Sequence, residues 1–298
     1  MTWHRLATIL GVAAVLALAA PVVNAGDPTG TDTGASAATD PGLTPQEQAL
    51  ADRKDKLAQD YLLVRLGKLD PAVFAKEWVA SMGTGATMPT GALPDGPEPM
   101  PILDVIQVAQ SNDHYCGPAS AFEILRYLGV TSGPANESLT QLHLARHCSA
   151  GYLCTDALGE TPWYNSGSYP RPMLSTLNAW LGTSSYVVVI GSDHYVSHLL
   201  MDIDSHLPLG MDVHERKSAT TPHLVGHPTN VVIAHWIAVH GYDENGAWSY
   251  YADSVHGVST NVIRWAASVP AHSWISSGSD GLSYMMDDSQ DFRRGHIW

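Results

Sequence analysis

The chain has 298 residues, 45% of them hydrophobic and 15% charged, enough to bury a full core in one domain with a smaller attachment. Its 15 basic residues against 29 acidic ones give a formal charge of −14. With no basic patch, this argues against nucleic-acid and anionic-membrane partners, both of which need clustered Lys and Arg.

Residues 1–25 read as a secretory signal peptide, with Arg5 in a positive start, an apolar run over 6–20, and Val23-Asn24-Ala25 as the small-residue exit before Gly26. An apolar run of about fifteen residues is short for the roughly twenty of a membrane span. Cleavage is therefore expected, leaving an exported chain with no membrane partner. Residues 26–43 carry almost no large apolar side chain and read as a disordered linker. Thr44, Pro45 and Glu47 form a capping box with proline in the first turn, predicting a helix to about Gly67. Asp70-Pro71 opens a second helix through Phe74 and Trp78. Residues 44–82 thus look like a small helical attachment, either a prosegment or a spacer, joined by a Pro/Gly-rich linker over 83–101.

The main domain is expected over 102–271, with 272–298 as a C-terminal extension. Helical periodicity covers 117–128, then Met173, Leu174, Leu177, Trp180 and Leu181, then Val196, Leu199, Leu200 and Ile203. Strands are expected at 186–190 and 207–213, and a hairpin from 231–241 and 248–252 turns at Asp243-Glu244-Asn245-Gly246. Helices followed mainly by strands give an α+β class.

There are three cysteines. Cys148 and Cys154 flank a short segment and suit a disulfide in an oxidising compartment, leaving Cys116 as a buried thiol or a nucleophile. Cys116 lies at a helix start in Asp113-His114-Tyr115-Cys116-Gly117-Pro118-Ala119-Ser120, where unpaired N–H groups and the helix dipole stabilise negative charge on sulfur. Gln110 stands six residues upstream, placed to donate to an oxyanion beside the Cys116 N–H. His235 lies in an apolar strand where an imidazole is expensive without a purpose. Asp253 ends the next strand. If Asp243 pairs with Ala247, Asp253 falls opposite Ile237, diagonal to His235 and on the same face.

Gln110, the Asp113-to-Ser120 segment, His235-Trp236-Ile237-Ala238-Val239-His240-Gly241-Tyr242-Asp243 and Ala252-Asp253 resemble the bacteriocin leader-peptidase-like (double-glycine peptidase type) group of papain-fold cysteine peptidases. The resemblance covers roughly 102–271. It implies a papain-like fold, with Gln110 as oxyanion donor, Cys116 as nucleophile, His235 as base and Asp253 as its orienter. Members often carry Asp-Pro where this chain has Asp253-Ser254. Leader-clipping members are fused to transporters inside the cell, so a different peptide, protein or cell-wall peptide substrate is expected here.

Rival readings remain open at this level. His240 competes as base, and Gln107 and Asn112 compete with Gln110. Cys148, Cys154, His143 and His147 match no common zinc spacing. His194 and His198, with His206, His214, His223 and His227 after them, suggest a metal module. That pair faces away from the apolar stripe and reads as a solvated polar face, so no metal or cofactor is expected. Trp163, Tyr164 and Tyr169 suit either a substrate cleft or loop packing. A catalytically silent binding module and an acyltransferase remain as alternatives to a hydrolase, because fold alone does not fix chemistry.

Overall fold

The computed structural model describes residues 43–82, 88–89, 102–164, 171–286 and 294–298. The expected signal peptide, the 26–43 linker apart from Leu43, most of the 83–101 linker, and Tyr169 lie outside the described residues. The helices are α1 (Pro45–Arg65), α2 (Pro71–Met82), α3 (Cys116–Tyr127), α4 (Gln141–Ala145), α5 (Thr155–Leu158), α6 (Pro172–Leu181), α7 (Tyr195–Asp204) and α8 (Leu282–Met286). The strands are β1 (Val188–Ile190), β2 (Leu209–Glu215), β3 (Ile233–Asp243), β4 (Trp248–Ala252), β5 (His272–Ser276) and β6 (Gly295–Ile297).

The capping box forms at Thr44. Its Oγ1 accepts the Glu47 N–H at 3.2 Å, and Glu47 Oε2 accepts the Thr44 N–H at 2.8 Å. Leu57, Ala58, Tyr61 and Val64 make the buried face of α1, which packs along α7. Polar anchors reinforce this contact. Tyr61 Oη donates to Asp204 Oδ2 at 2.5 Å and Arg65 Nη1 to the same oxygen at 2.8 Å. Lys54, buried on the same helix, donates to Ser185 O at 2.9 Å with its Nζ 4.4 Å from the Trp298 ring centre.

One antiparallel sheet runs β1-β6-β2-β3-β4-β5. Successive side chains of β3 alternate between two cores. Trp236 and Ala238 join Ile124 and Leu125 of α3 and Leu177 of α6. Ile237 and Val239 join Tyr61, Leu199 and Met285 from α1, α7 and α8. Burial on both faces explains why the strand reads as a nearly unbroken apolar run. Residues 272–298, expected as an extension, instead supply β5 at one edge and β6 inside the sheet. β6 bonds to β1 on one side and β2 on the other, so the sheet is continuous only with the C-terminus in place.

The β3–β4 hairpin closes with Asp243 opposite Trp248 rather than Ala247, around a 3-10 turn with Asn245 left-handed at φ 58°. A bulge between Val239 and Gly241 then cancels the one-residue offset, and Ala238 pairs with Ala252. Continuing that register puts Asp253 opposite Ile237 after all. Cys148 and Cys154 form a disulfide, which removes both from any metal-ligand set. A cavity of about 370 Å³ opens between α1 and α6, lined by Leu50, Leu174 and Tyr186 among others but by none of Gln110, Cys116, His235 and Asp253. No helix among the described residues is long and apolar enough to cross a membrane.

Candidate active site

Cys116 is the first residue of α3 and is partly exposed. Its neighbours set it there. The Thr161 side chain presses on Gly117 so closely that any Cβ would collide with it. Pro118 fits the first turn, where a missing N–H has no helical partner to lose. Ser120 Oγ donates to Trp236 O at 3.0 Å, tying the helix to β3 beside His235.

His235 Nε2 donates to Asp253 Oδ1 at 3.0 Å, and a hydrogen bond with Cys116 is among the influences that raise the pKa of the same imidazole. With Nε2 on the carboxylate, Nδ1 is the nitrogen left for sulfur. Burial opposes charge on His235. The field and hydrogen bond of Asp253, with Cys116 on the other side, outweigh it and hold the imidazole well above its usual range. Asp253 is fully buried, which by itself would raise its pKa. The field of His235 and bonds from His227 and His235 reverse this and hold it below the usual carboxylate range. The Val255 N–H also donates to Oδ1, at 2.9 Å.

Gln110, in the irregular segment ahead of α3, is buried against the end of β4. Its N–H donates to Ser254 O at 2.8 Å, its Oε1 accepts Ser254 Oγ at 3.0 Å, and its Nε2 donates to Asn112 O at 2.7 Å. Ser254, the departure from Asp-Pro, is thus the residue that fixes Gln110. Gln107 Nε2 braces the same strand end through Asp253 O and His256 O at 3.1 and 3.0 Å. His240, the rival base, falls in the bulge. Its nitrogens meet Leu103 O and His272 Nδ1 at 2.9 and 3.0 Å. Trp163 stacks on Trp236 at 5.8 Å between centroids and is buried, so it is packing.

Several residues at this site went unrecognised in the sequence. His227 Nε2 donates to Asp253 Oδ2 at 2.9 Å, and its Nδ1 to Glu215 Oε1 at 2.5 Å. His223 Nδ1 meets Glu215 Oε2 at 3.0 Å. Burial lowers the His227 pKa, but the two carboxylates overcome it and raise the value; both ring nitrogens act as donors. His223 and His227 sit in a non-periodic loop with no signal beyond the residue type. Glu123, buried on α3, accepts the Val108 N–H at 2.8 Å. Burial, opposed by that N–H and assisted by the Asp253 charge, pushes its carboxyl up to about 8. Arg294, paired with Asp212 at 2.6 Å, belongs to the stretch expected to lie outside the domain.

The reading of His194 and His198 as a solvated face is overturned for His198. It is 1% exposed, stacked on Trp298 at 3.6 Å, and faces Asp55 of α1. Helix α1 and the C-terminus cover that side of α7 at His198, whereas His194 at the helix start stays half exposed.

Against known proteins, no curated protein matches the chain. A family model matches residues 102–281, spanning Gln110, Cys116, His235 and Asp253 as well as His227 and Glu215. Over half the chain is covered, and the chain belongs to the Peptidase_C39 like family, a group of cysteine peptidases.

Proposed function

We propose that the protein is an exported cysteine peptidase or amide hydrolase working through a thioester, with Cys116 as nucleophile, His235 as base and acid, and Asp253 as orienter. The observation that carries this reading is His235, bonded through Nε2 to Asp253 at 3.0 Å and with Cys116 among the groups that raise its pKa. The Cys116 proton passes to His235 Nδ1, and sulfur attacks the substrate carbonyl carbon. The oxyanion takes hydrogen bonds from the Cys116 backbone N–H and from the second amide proton of Gln110, its first being held by Asn112 O. His235 returns the proton to the leaving amine as the carbon–nitrogen bond breaks. Water, deprotonated by His235, then resolves the thioester and releases the acid. Export is supported by the disulfide and by the signal-like residues 1–25.

The test is chemical labelling. Iodoacetamide near pH 7 should alkylate Cys116 selectively, and His235→Ala should slow the reaction at least tenfold. Equal, slow labelling in both proteins would refute the assignment. An amine added to a cleaving reaction separates hydrolysis, which ignores it, from acyl transfer, which incorporates it.

A further inference from the structure

A second cluster lies apart from Cys116, where α1 meets the start of α7. Asp55 Oδ1 is approached by His194 Nδ1 at 2.7 Å and by His198 Nε2 at 2.8 Å. The three ligand atoms lie within 4.8 Å of one another. Gln59 Nε2 donates to the other Asp55 oxygen at 2.7 Å and sits 3.2 Å from His194 Nδ1.

The hydrogen bonds behind His198 decide what this cluster lacks. Gly191 O can only accept, so His296 Nδ1, 3.2 Å away, carries a proton. A neutral His296 then accepts at Nε2, and His198 Nδ1, at 2.7 Å, donates to it. His198 Nε2 is left with a lone pair aimed at a carboxylate oxygen. Acceptor faces acceptor unless a positive charge stands between them. Both imidazoles are buried.

We propose that Asp55, His194 and His198 bind a divalent transition-metal ion, zinc or one of similar imidazole preference, that joins α1 to α7. Two imidazoles and one carboxylate suit such an ion, whereas calcium and magnesium need a shell of oxygens. Histidines four apart share a helix face. His194 is held left-handed at φ 55° at the helix start. Zinc bonds of about 2.0 Å set ligand atoms roughly 3.3 Å apart, so each nitrogen needs to draw back from Asp55 Oδ1 by only about half an ångström. His296 supplies the outer hydrogen bond that fixes the tautomer and orientation of a ligand histidine. His194 is half exposed, which leaves the fourth position open to water. The inference is independent of the peptidase reading.

The test uses tag-free full-length protein carrying Cys116→Ala, so that the thiol cannot capture zinc, stripped with EDTA and titrated with ZnCl2 calorimetrically. One ion should bind per chain, and Tm should rise by roughly 5 °C or more at a hundredfold excess over Kd. Adding His194→Ala or Asp55→Asn, each checked for native circular dichroism, should weaken binding more than about tenfold. Cobalt(II) should give the visible bands of a tetrahedral site, lost in both variants. Absence of binding by the stripped protein, unchanged affinity in both variants, or loss of zinc only on replacing His227 would each overturn the proposal.

Discussion

Asp253 and Asp55 each hold two histidines, and they divide them differently. Asp253 gives one oxygen to His235 and the other to His227, and Glu215 takes the far side of His227. Asp55 offers the same oxygen to His194 and His198. In the first cluster protons alone satisfy every ring nitrogen facing Asp253 and Glu215. In the second, the row from Gly191 through His296 and His198 to Asp55 is one positive charge short. Both bring three side-chain atoms able to bind a metal within 4.8 Å of one another. Following each proton to its acceptor tells them apart, because a carbonyl oxygen fixes the direction of the row behind it.

The sharpest way to break the comparison is His227→Ala. Asp253 and Glu215 would lose the cation between them while fully buried, and removing one partner from such a set costs about 3–5 kcal/mol. Urea unfolding should show that loss. A change under 1 kcal/mol would mean that His227 is not the charge that balances the two carboxylates.

Glu123→Gln tests the neighbouring acid. With a folded pKa of about 8 against the ordinary 4.5, the native protein keeps a proton that the unfolded chain releases. Raising the pH across that window therefore favours unfolding. Between pH 6 and 7.5 the wild type should lose about 2 kcal/mol more than the glutamine variant. Parallel stability curves would show that Glu123 is ionised in the folded protein. Ser254→Ala should act on turnover more than on the fold. Losing the Gln110 bond costs about 1 kcal/mol of stability, while kcat on a cleaved peptide falls about tenfold or more as the oxyanion donor slackens. Alkylation of Cys116, which forms no oxyanion, should keep its rate.

The legible features in the sequence were those carried by local chemistry. The capping box at Thr44 placed α1, and the turn-flanked apolar run placed β3 and β4. Asp253 lies opposite Ile237 although the hairpin loop is one residue longer than the sequence predicts, because the bulge at His240 offsets the extra residue. Gly241 beside it is the kind of strand glycine that often marks a bulge, but a glycine alone does not say how the register shifts. β6 is three residues long and lies far along the chain from the strands it joins, so it has no period to read. His198 was misjudged for a third reason. An amphipathic pattern assumes that the polar face meets water, and here α1 and Trp298 cover that face of α7.

That misjudged face sets the smallest expected effect. In stripped protein His194→Ala should change stability by less than about 0.5 kcal/mol, since a half-exposed side chain with one carboxylate contact contributes little. His227→Ala, with the same change of residue type, should cost many times that. In zinc the ranking should narrow, because the wild type gains binding energy that His194→Ala forfeits. A His194→Ala penalty that grows with zinc concentration, beside a His227→Ala penalty that does not, would separate a cluster held by a metal from one held by protons.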